Sequence, residues 1–313
     1  MNDLPLAIGI DFGGTSVKAA VVRGGEILDL SPPIATQDFH SPQELITAIL
    51  RTIEDLRARH PAVVAIGIGV PGFVDFEKGL VLDLTNVRGW QKIPLRDPLS
   101  AVCGLPVCVE NDANCMAFAE WKLGAAMGLT HIVCVALGTG VGGGIIVNGQ
   151  MLRGAKFGAG EIGQTSIDYQ GRPGHYGNLG ALEDYIGNQE ITRDALTAYH
   201  SAGIPKDTEQ CTPAALAEAA QHGDPVALAQ WDKIAQMLAT AMMNACWLLN
   251  PEALVIGGGV ARAGEILFKP FREHLLRQLS GPFKNGLLIL PAAFGHEAGM
   301  IGAAALALQA AGH

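Results

Sequence analysis

Apolar positions in this chain come in short runs separated by glycine turns. Residues 6–10 (Leu-Ala-Ile-Gly-Ile) run into Asp11-Phe12-Gly13-Gly14-Thr15, an apolar stretch at 16–22 follows, and Arg23-Gly24-Gly25 leads into Glu26-Ile27-Leu28. Runs of this length bounded by turn residues predict strand, turn, strand, turn, strand. The pattern returns in the middle of the chain with an apolar run at 132–137, the turn Gly138-Thr139-Gly140, a stretch at 144–147, the hairpin turn Asn148-Gly149, and Gln150-Met151-Leu152. In each half a helix-period stretch comes next, at 42–60 and 225–249, and then another apolar run, at 63–70 and 253–256, that leads into glycines. The chain therefore reads as internally duplicated. Strands alternating with helices predict α/β layers with mixed sheets, in two domains facing each other across a cleft. A last apolar segment at 299–310 reads as a buried helix.

Composition narrows the function classes. The chain has 313 residues, 49% apolar and 16% charged, which fits two domains with a substantial core and argues against disorder. Its 40 glycines follow no collagen-like period, so they point to tight turns and to close backbone approaches. A formal charge of −9 argues against nucleic acid as a partner, so any anionic ligand must be held by local groups. There is no basic leader and no long uninterrupted apolar run, and a soluble, cytoplasmic protein with no membrane partner is expected. Cys103, Cys108, Cys115, Cys134, Cys211 and Cys246 form no C-x-x-C pair and read as buried thiols in a reducing compartment.

Gly138, Gly140 and Gly143 match G-x-G-x-x-G, with Glu161 near the distance of a ribose-binding acid. A dinucleotide fingerprint must open a helix, whereas residues 144–149 read as a strand entering a hairpin, so that reading is rejected. A Walker P-loop motif is also missing. Two glycine hairpins remain, and their backbone amides can cradle phosphate. The first carries Asp11, Thr15 and Lys18; at a constant offset the second carries Ala136, Gly140 and Gly143. A carboxylate at a strand end beside such a cradle suits Mg²⁺ held through water, and a threonine hydroxyl can donate to phosphate. The bland alternative for Asp11 is a turn-capping role. Asp112 stands between a predicted strand at 107–110 and a helical stretch, where it is either an N-cap or a base for a hydroxyl attacking phosphorus.

Asp11-Phe12-Gly13-Gly14-Thr15, Glu110-Asn111-Asp112-Ala113-Asn114, the glycine-rich run at 137–144, Gly160-Glu161-Ile162-Gly163 and Val255-Ile256-Gly257-Gly258-Gly259 occur in the order seen in ROK-family sugar kinases, and the resemblance spans essentially the whole chain. It implies an actin-like ATPase / sugar-kinase fold, with two ribonuclease-H-like domains closing over ATP-Mg²⁺ and a hexose. It places residues 1–112 with 299–313 in one α/β domain and residues 113–298 in the other. The implied activity is ATP-dependent phosphorylation of a hexose at the 6-hydroxyl, glucose first. N-acetylmannosamine, N-acetylglucosamine and fructose are alternatives, polyphosphate is an alternative donor, and a non-catalytic sugar-sensing protein is a reading from another class. ROK transcriptional repressors carry a DNA-binding segment ahead of this core; with the first predicted strand at Leu6, none is expected.

By the same resemblance Asp112 is the catalytic base, and Gly72, Asn86, Asn111, Glu161, Gln164 and Glu183 bind sugar. Asp11, Gly13, Gly14, Thr15, Lys18, Gly138, Thr139, Gly140 and Gly258 surround the nucleotide, and Asp11 meets Mg²⁺ through water. A homodimer is implied. The family commonly has a zinc site of one histidine and three cysteines, whose positions here hold Gln164, Gly174, Tyr176 and Ala181, so no zinc is expected. Tyr169, Tyr176 and Leu179 are then candidates to pack the loop at 165–182, and His175 reads as an ordinary loop histidine.

Overall fold

The computed structural model describes residues 4–84 and 89–313. It divides into two compact units, one made of the chain up to Gly128 with Met151–Ala159 and His296–His313, the other of Leu129–Gln150 and Gly160–Gly295.

In the first unit, β1 (Leu6–Phe12), β2 (Ser16–Arg23) and β3 (Glu26–Leu30) form an antiparallel meander, and the two-residue β4 (Ile34–Ala35) adds to β2. Helix α1 (Pro42–Arg59) starts at Ser41, whose hydroxyl accepts from the Glu44 amide, and has proline in its first turn, where a missing N–H costs nothing. It leads to β5 (Val63–Val70), parallel to β1. A small antiparallel sheet of β6 (Phe73–Asp75), β7 (Leu80–Asp83) and β8 (Gln91–Pro94) follows. Helix α2 (Arg96–Cys103) then returns the chain to β9 (Val107–Asn111), parallel to β5, which runs straight into α3 (Asp112–Lys122). The main sheet has the order β3-β2-β1-β5-β9. Ile8, Ile10, Phe12, Ile49, Ile53 and Ile66 are among the side chains that fill its core.

The second unit repeats that order. Strands β10 (Ile132–Leu137), β11 (Val141–Val147) and β12 (Gln150–Met151) form the meander. After α4 (Glu183–Ile186), α5 (Asn188–Ser201), α6 (Pro213–Gln221) and the long α7 (Pro225–Leu249) comes β13 (Ala253–Gly257), parallel to β10. Helices α8 (Glu265–Arg277) and α9 (Gly281–Lys284) precede β14 (Leu288–Pro291), and the sheet order is β12-β11-β10-β13-β14. Asp224 caps α7 by accepting from the Val226 and Ala227 amides, and Trp231, Leu238 and Met242 on that helix are buried in the unit's core.

The duplication is real in topology, but its register differs from the constant offset by one residue. Asp11 and Lys18 are cross-strand partners, as are Ala136 and Gly142, so the counterpart of Lys18 is Gly142 and not Gly143. The second turn is one residue shorter, and β11 starts at Val141, running through Gly142 and Gly143, ahead of the strand expected at 144–147. One of these has a packing reason: a side chain at Gly143 would press on the Gly160 carbonyl and on Ile162.

Helix α10 (Ala298–Ala310) packs in the first unit. A Cβ on Gly9, Gly67 or Gly302 would overlap the carbonyls of Met300, Ala303 or Cys115, so these glycines let the helix lie directly on β1, β5 and α3. That close packing keeps α3 in the first unit, which extends beyond the boundary drawn at residue 112. Among the described residues no helix is long and apolar enough to cross a membrane.

Candidate active site

Within the first unit, Asp11 lies near the end of β1, paired with Lys18 on β2 and with Gly69 on β5. The start of α10 comes right up to it: a side chain on Gly299 would stand 3.1 Å from the Asp11 carboxyl carbon. A helix N-terminus is a favourable neighbour for an anion. Burial, and then the Asp112 carboxylate, still push Asp11 up to about 6, against the opposing pull of Lys18. In the turn that follows, the Gly13 amide donates to the Ser16 carbonyl at 2.9 Å, and the Gly14 and Thr15 carbonyls accept from Thr36. The Thr15 side chain is exposed.

Asp112 is the first residue of α3. One of its carboxylate oxygens accepts from the Ala113 amide at 2.8 Å. Burial raises its pKa, opposed by the N–H groups of Ala113 and of Asp112 itself. The helix cap is Asn111, whose side-chain oxygen accepts from the Asn114 amide while its Nδ2 donates to the Gly72 carbonyl, both at 3.0 Å. The N-cap role weighed for Asp112 thus belongs to Asn111, and the Asp112 carboxylate is left for other work. Gly72 has φ +81°, and a Cβ there would overlap the Asp83 carbonyl. Asn86 lies outside the described residues.

Three residues that the sequence reading gave no role hold this junction. Glu110 is only 3% exposed. One of its oxygens accepts from the Asn111 amide and from Asn114 Nδ2 at 3.0 Å, and the other accepts from Arg153 Nε at 2.7 Å. The Arg153 guanidinium lies 4.0 Å over the Phe76 ring, which Phe157 meets edge-on. A buried carboxylate needs such a full set of donors. Glu110 and Asn114 stand inside the motif at 110–114, but nothing in the sequence connects Arg153 to them.

Within the second unit, the Gly138 amide donates to the Gly140 carbonyl, and the Gly138 carbonyl accepts from the Asn188 amide, both at 2.9 Å. A Cβ on Gly138 would point into open space. Thr139 is exposed. Gly258, at φ +88°, sits where a side chain would overlap the backbone of Leu137. Glu183 ties this hairpin to the neighbouring loop: one carboxylate oxygen accepts from the Val141 amide at 2.8 Å and the other from Gln164 Nε2 at 3.2 Å. Glu161 is exposed at the start of the short turn that carries Gln164.

The loop at 165–182 is not packed by the side chains expected to do so. Tyr169, Tyr176 and Leu179 are 80%, 58% and 45% exposed; the loop instead folds back on itself, with bridges Ser166–Ala181 and Pro173–Leu179 and backbone hydrogen bonds across it. His175 stacks edge-on against Tyr176 and is exposed. No cluster of three or more His, Cys, Asp or Glu side chains suited to a metal occurs among the described residues.

The candidate residues divide into two chemistries. Those of the first unit include buried carboxylates, and those of the second are open backbone next to a held glutamate. Similar proteins carry the same scaffold. A glucokinase from Halalkalibacterium halodurans is 36% identical over 96% of this chain and 94% of its own length, and one from Thermotoga maritima is 34% identical over 96% of each. The crystal structure of a ROK family glucokinase from Streptomyces griseus in complex with glucose and AMPPNP superposes with a TM-score of 0.83 at 33% identity, covering 97% of this chain and 99% of that one. The fold is that of the actin-like ATPase sugar kinases. The ROK family profile matches residues 7–310, and the chain belongs to the ROK family.

Proposed function

We propose that this protein transfers the terminal phosphoryl group of ATP to the 6-hydroxyl of a hexose, with glucose as the substrate. The observation that carries this reading is the Asn111-Asp112 junction, a fixed amide beside a carboxylate whose pKa burial has raised, in a chain whose relatives include glucokinases. Asp112 accepts the proton of the attacking hydroxyl as its oxygen bonds to phosphorus and ADP leaves. A raised pKa makes it a better base than a surface aspartate, and general-base assistance of this kind is worth roughly 10²–10⁴ in rate. Asn111, locked at both ends of its amide, holds adjacent sugar hydroxyls, and Glu161, Gln164 and Glu183 bind near the anomeric end.

The residues present fit Mg²⁺ and ATP. Asp11 and Asp112 are near enough to raise the pKa of Asp11, with Lys18 as the opposing charge, and a divalent cation would balance them. The open space at Gly138 leaves room for phosphate against backbone amides. Asp11 would hold Mg²⁺ through water, with Gly13, Gly14, Thr15, Lys18, Gly138, Thr139 and Gly140 around the phosphates and Gly258 against the adenosine. When bound, Mg²⁺-ATP supplies the transferable phosphoryl group and neutralises charge that develops on it. By its likeness to the family the protein is read as a cytoplasmic homodimer.

A coupled ADP assay over glucose, mannose, fructose, allose and the N-acetylhexosamines tests this reading, with polyphosphate as a second donor. Glucose with ATP is expected to give the highest kcat/KM. No sugar-dependent ADP across the panel would leave a non-catalytic sugar-binding protein instead.

A further inference from the structure

The loop at 165–182 runs between Gln164 and Glu183, which are hydrogen-bonded to each other. Its own ladder is short: Leu182 donates to the Thr165 carbonyl, Ile167 to Gly180, Gly180 to Arg172 and Gly174 to Asn178, at 2.7–3.1 Å. Asn178 Nδ2 also donates to the Gln164 carbonyl at 2.8 Å. Ile167 and Leu182, near the loop's two ends, pack on the unit's core, but Tyr169, Tyr176 and Leu179 turn outward and none of residues 168–180 is among the side chains packed there, so the middle of the loop has no apolar anchor. One side chain ties it to the helices behind. Arg172 donates from Nη1 to the Asp184 carbonyl at 2.9 Å and from Nη2 to both Asp194 carboxylate oxygens at 2.9 and 2.7 Å. Its guanidinium lies 4.5 Å over the Tyr185 ring, and its backbone amide donates to the Tyr185 hydroxyl at 2.8 Å. Asp184 and Tyr185 are on α4, whose first residue is Glu183, and Asp194 is on α5.

We propose that Arg172 is a positioning residue for sugar binding: it fastens the loop to α4 and α5, and thereby fixes the Gln164–Glu183 pair in one geometry. The assignment of that pair to sugar rests on the function proposed above; the fastening itself does not. The guanidinium is suited to the task because it meets a carboxylate, a carbonyl and a ring face at once from one rigid plane, with five donors. Lysine keeps the charge but loses the fork and the stacking. Arg193 lies 3.5 Å from Asp194, so the carboxylate keeps a cationic neighbour when Arg172 is replaced.

The test uses the full chain with Arg172→Ala, Arg172→Lys and Tyr185→Phe, measuring kcat, both KM values, Tm and hydrogen exchange of the loop amides. In Arg172→Ala the KM for glucose should rise roughly tenfold or more, since small misplacements of binding groups have large effects, while the KM for ATP stays within about twofold. Arg172→Lys should show most of that rise with Tm near wild type, and Tyr185→Phe a smaller one. Amides at 165–182 should exchange faster in Arg172→Ala, with those of α7 unchanged. A lowered Tm with an unchanged KM for glucose would mean a merely structural residue and would overturn the proposal. If the alanine variant does not fold, the lysine variant decides by the same KM split. A wild-type chain that phosphorylates no hexose defeats the kinase reading alone; the fastening is then judged by exchange, and unaltered loop exchange in Arg172→Lys and Arg172→Ala defeats it.

Discussion

The two units share a strand order but not a charge pattern. Where β1 carries Asp11 next to its end, opposite Lys18, β10 presents Ala136 opposite Gly142. Gly69 on β5 corresponds to Gly257 on β13 through their pairing with Asp11 and Ala136. Counting on from the paired positions of the outer strands, Ala292, Ala293 and Phe294 stand where Glu110, Asn111 and Asp112 stand. A single topology thus serves two tasks. At these matched strand-end positions the first copy keeps carboxylates and a lysine, and the second keeps uncharged residues; its glutamates, Glu161 and Glu183, stand outside the repeated strands. Charging both copies would multiply the repulsion against an anionic nucleotide, whereas amides can hold phosphate without adding to it.

The sharpest way to break this comparison is to remove the charge at Asp112. Asp112→Ala should lower kcat by roughly 10²–10⁴, the range for losing a general base, while glucose affinity by titration calorimetry changes only a few-fold. Substantial remaining turnover would show that the charged copy does not house the base.

Asp11→Asn is next and should separate function from stability. Turnover should fall by about 10², with a higher Mg²⁺ requirement, because a charge next to the transferring group is lost. Ligand-free stability should move the other way. Asp11 rises from an ordinary 3.8 to about 6 in the folded protein, so the folded state binds that proton more tightly than the unfolded state. Its contribution to stability is therefore complete at low pH and is lost as pH rises through about 6, up to about 3 kcal/mol in all. Denaturant titrations should find Asp11→Asn more stable than wild type near pH 7.5 but not near pH 4. Equal stability differences at both pH values would contradict the burial of a charged Asp11.

Gly258→Ala probes the neutral copy. A residue at φ +88° with its Cβ against the Leu137 backbone should cost roughly 1–3 kcal/mol and raise the KM for ATP. A variant with unchanged Tm and KM would show that this turn tolerates bulk and does not contact nucleotide.

The sequence made the duplication legible because strand length, turn residues and helix period are local signals. It also made legible the motif at 110–114, since strand-to-helix junctions announce themselves. The register of the second hairpin was not legible: a turn shorter by one residue looks the same as a longer one until Ala136 is seen opposite Gly142. Long-range polar ties were equally hidden. Nothing local in the sequence marks Arg153 as the partner of Glu110, or Arg172 as that of Asp194. Tyr169 and Tyr176 misled in the opposite direction: aromatic residues suggest packing, yet this loop is tied by backbone hydrogen bonds and their rings stay outside.

The smallest expected effect compares the two turns directly. Gly13 and Gly138 open corresponding hairpin turns, so alanine at each asks what the turn itself requires. A Cβ on Gly13 would lie 3.1 Å from the Ser16 carbonyl, a contact that the charged turn must yield by a few tenths of an ångström to admit; a Cβ on Gly138 meets nothing. Gly13→Ala should therefore lower stability by roughly 0.5–1 kcal/mol, and Gly138→Ala should be neutral or slightly stabilising, since alanine lowers the entropy of the unfolded chain. In the KM for ATP the order should reverse, because the open space at Gly138 is the space the phosphates would take. Paired denaturation and kinetics on the two variants check both halves of the claim. If Gly138→Ala binds ATP as wild type does, the neutral copy is not the phosphate cradle, and that task passes to the charged turn alone.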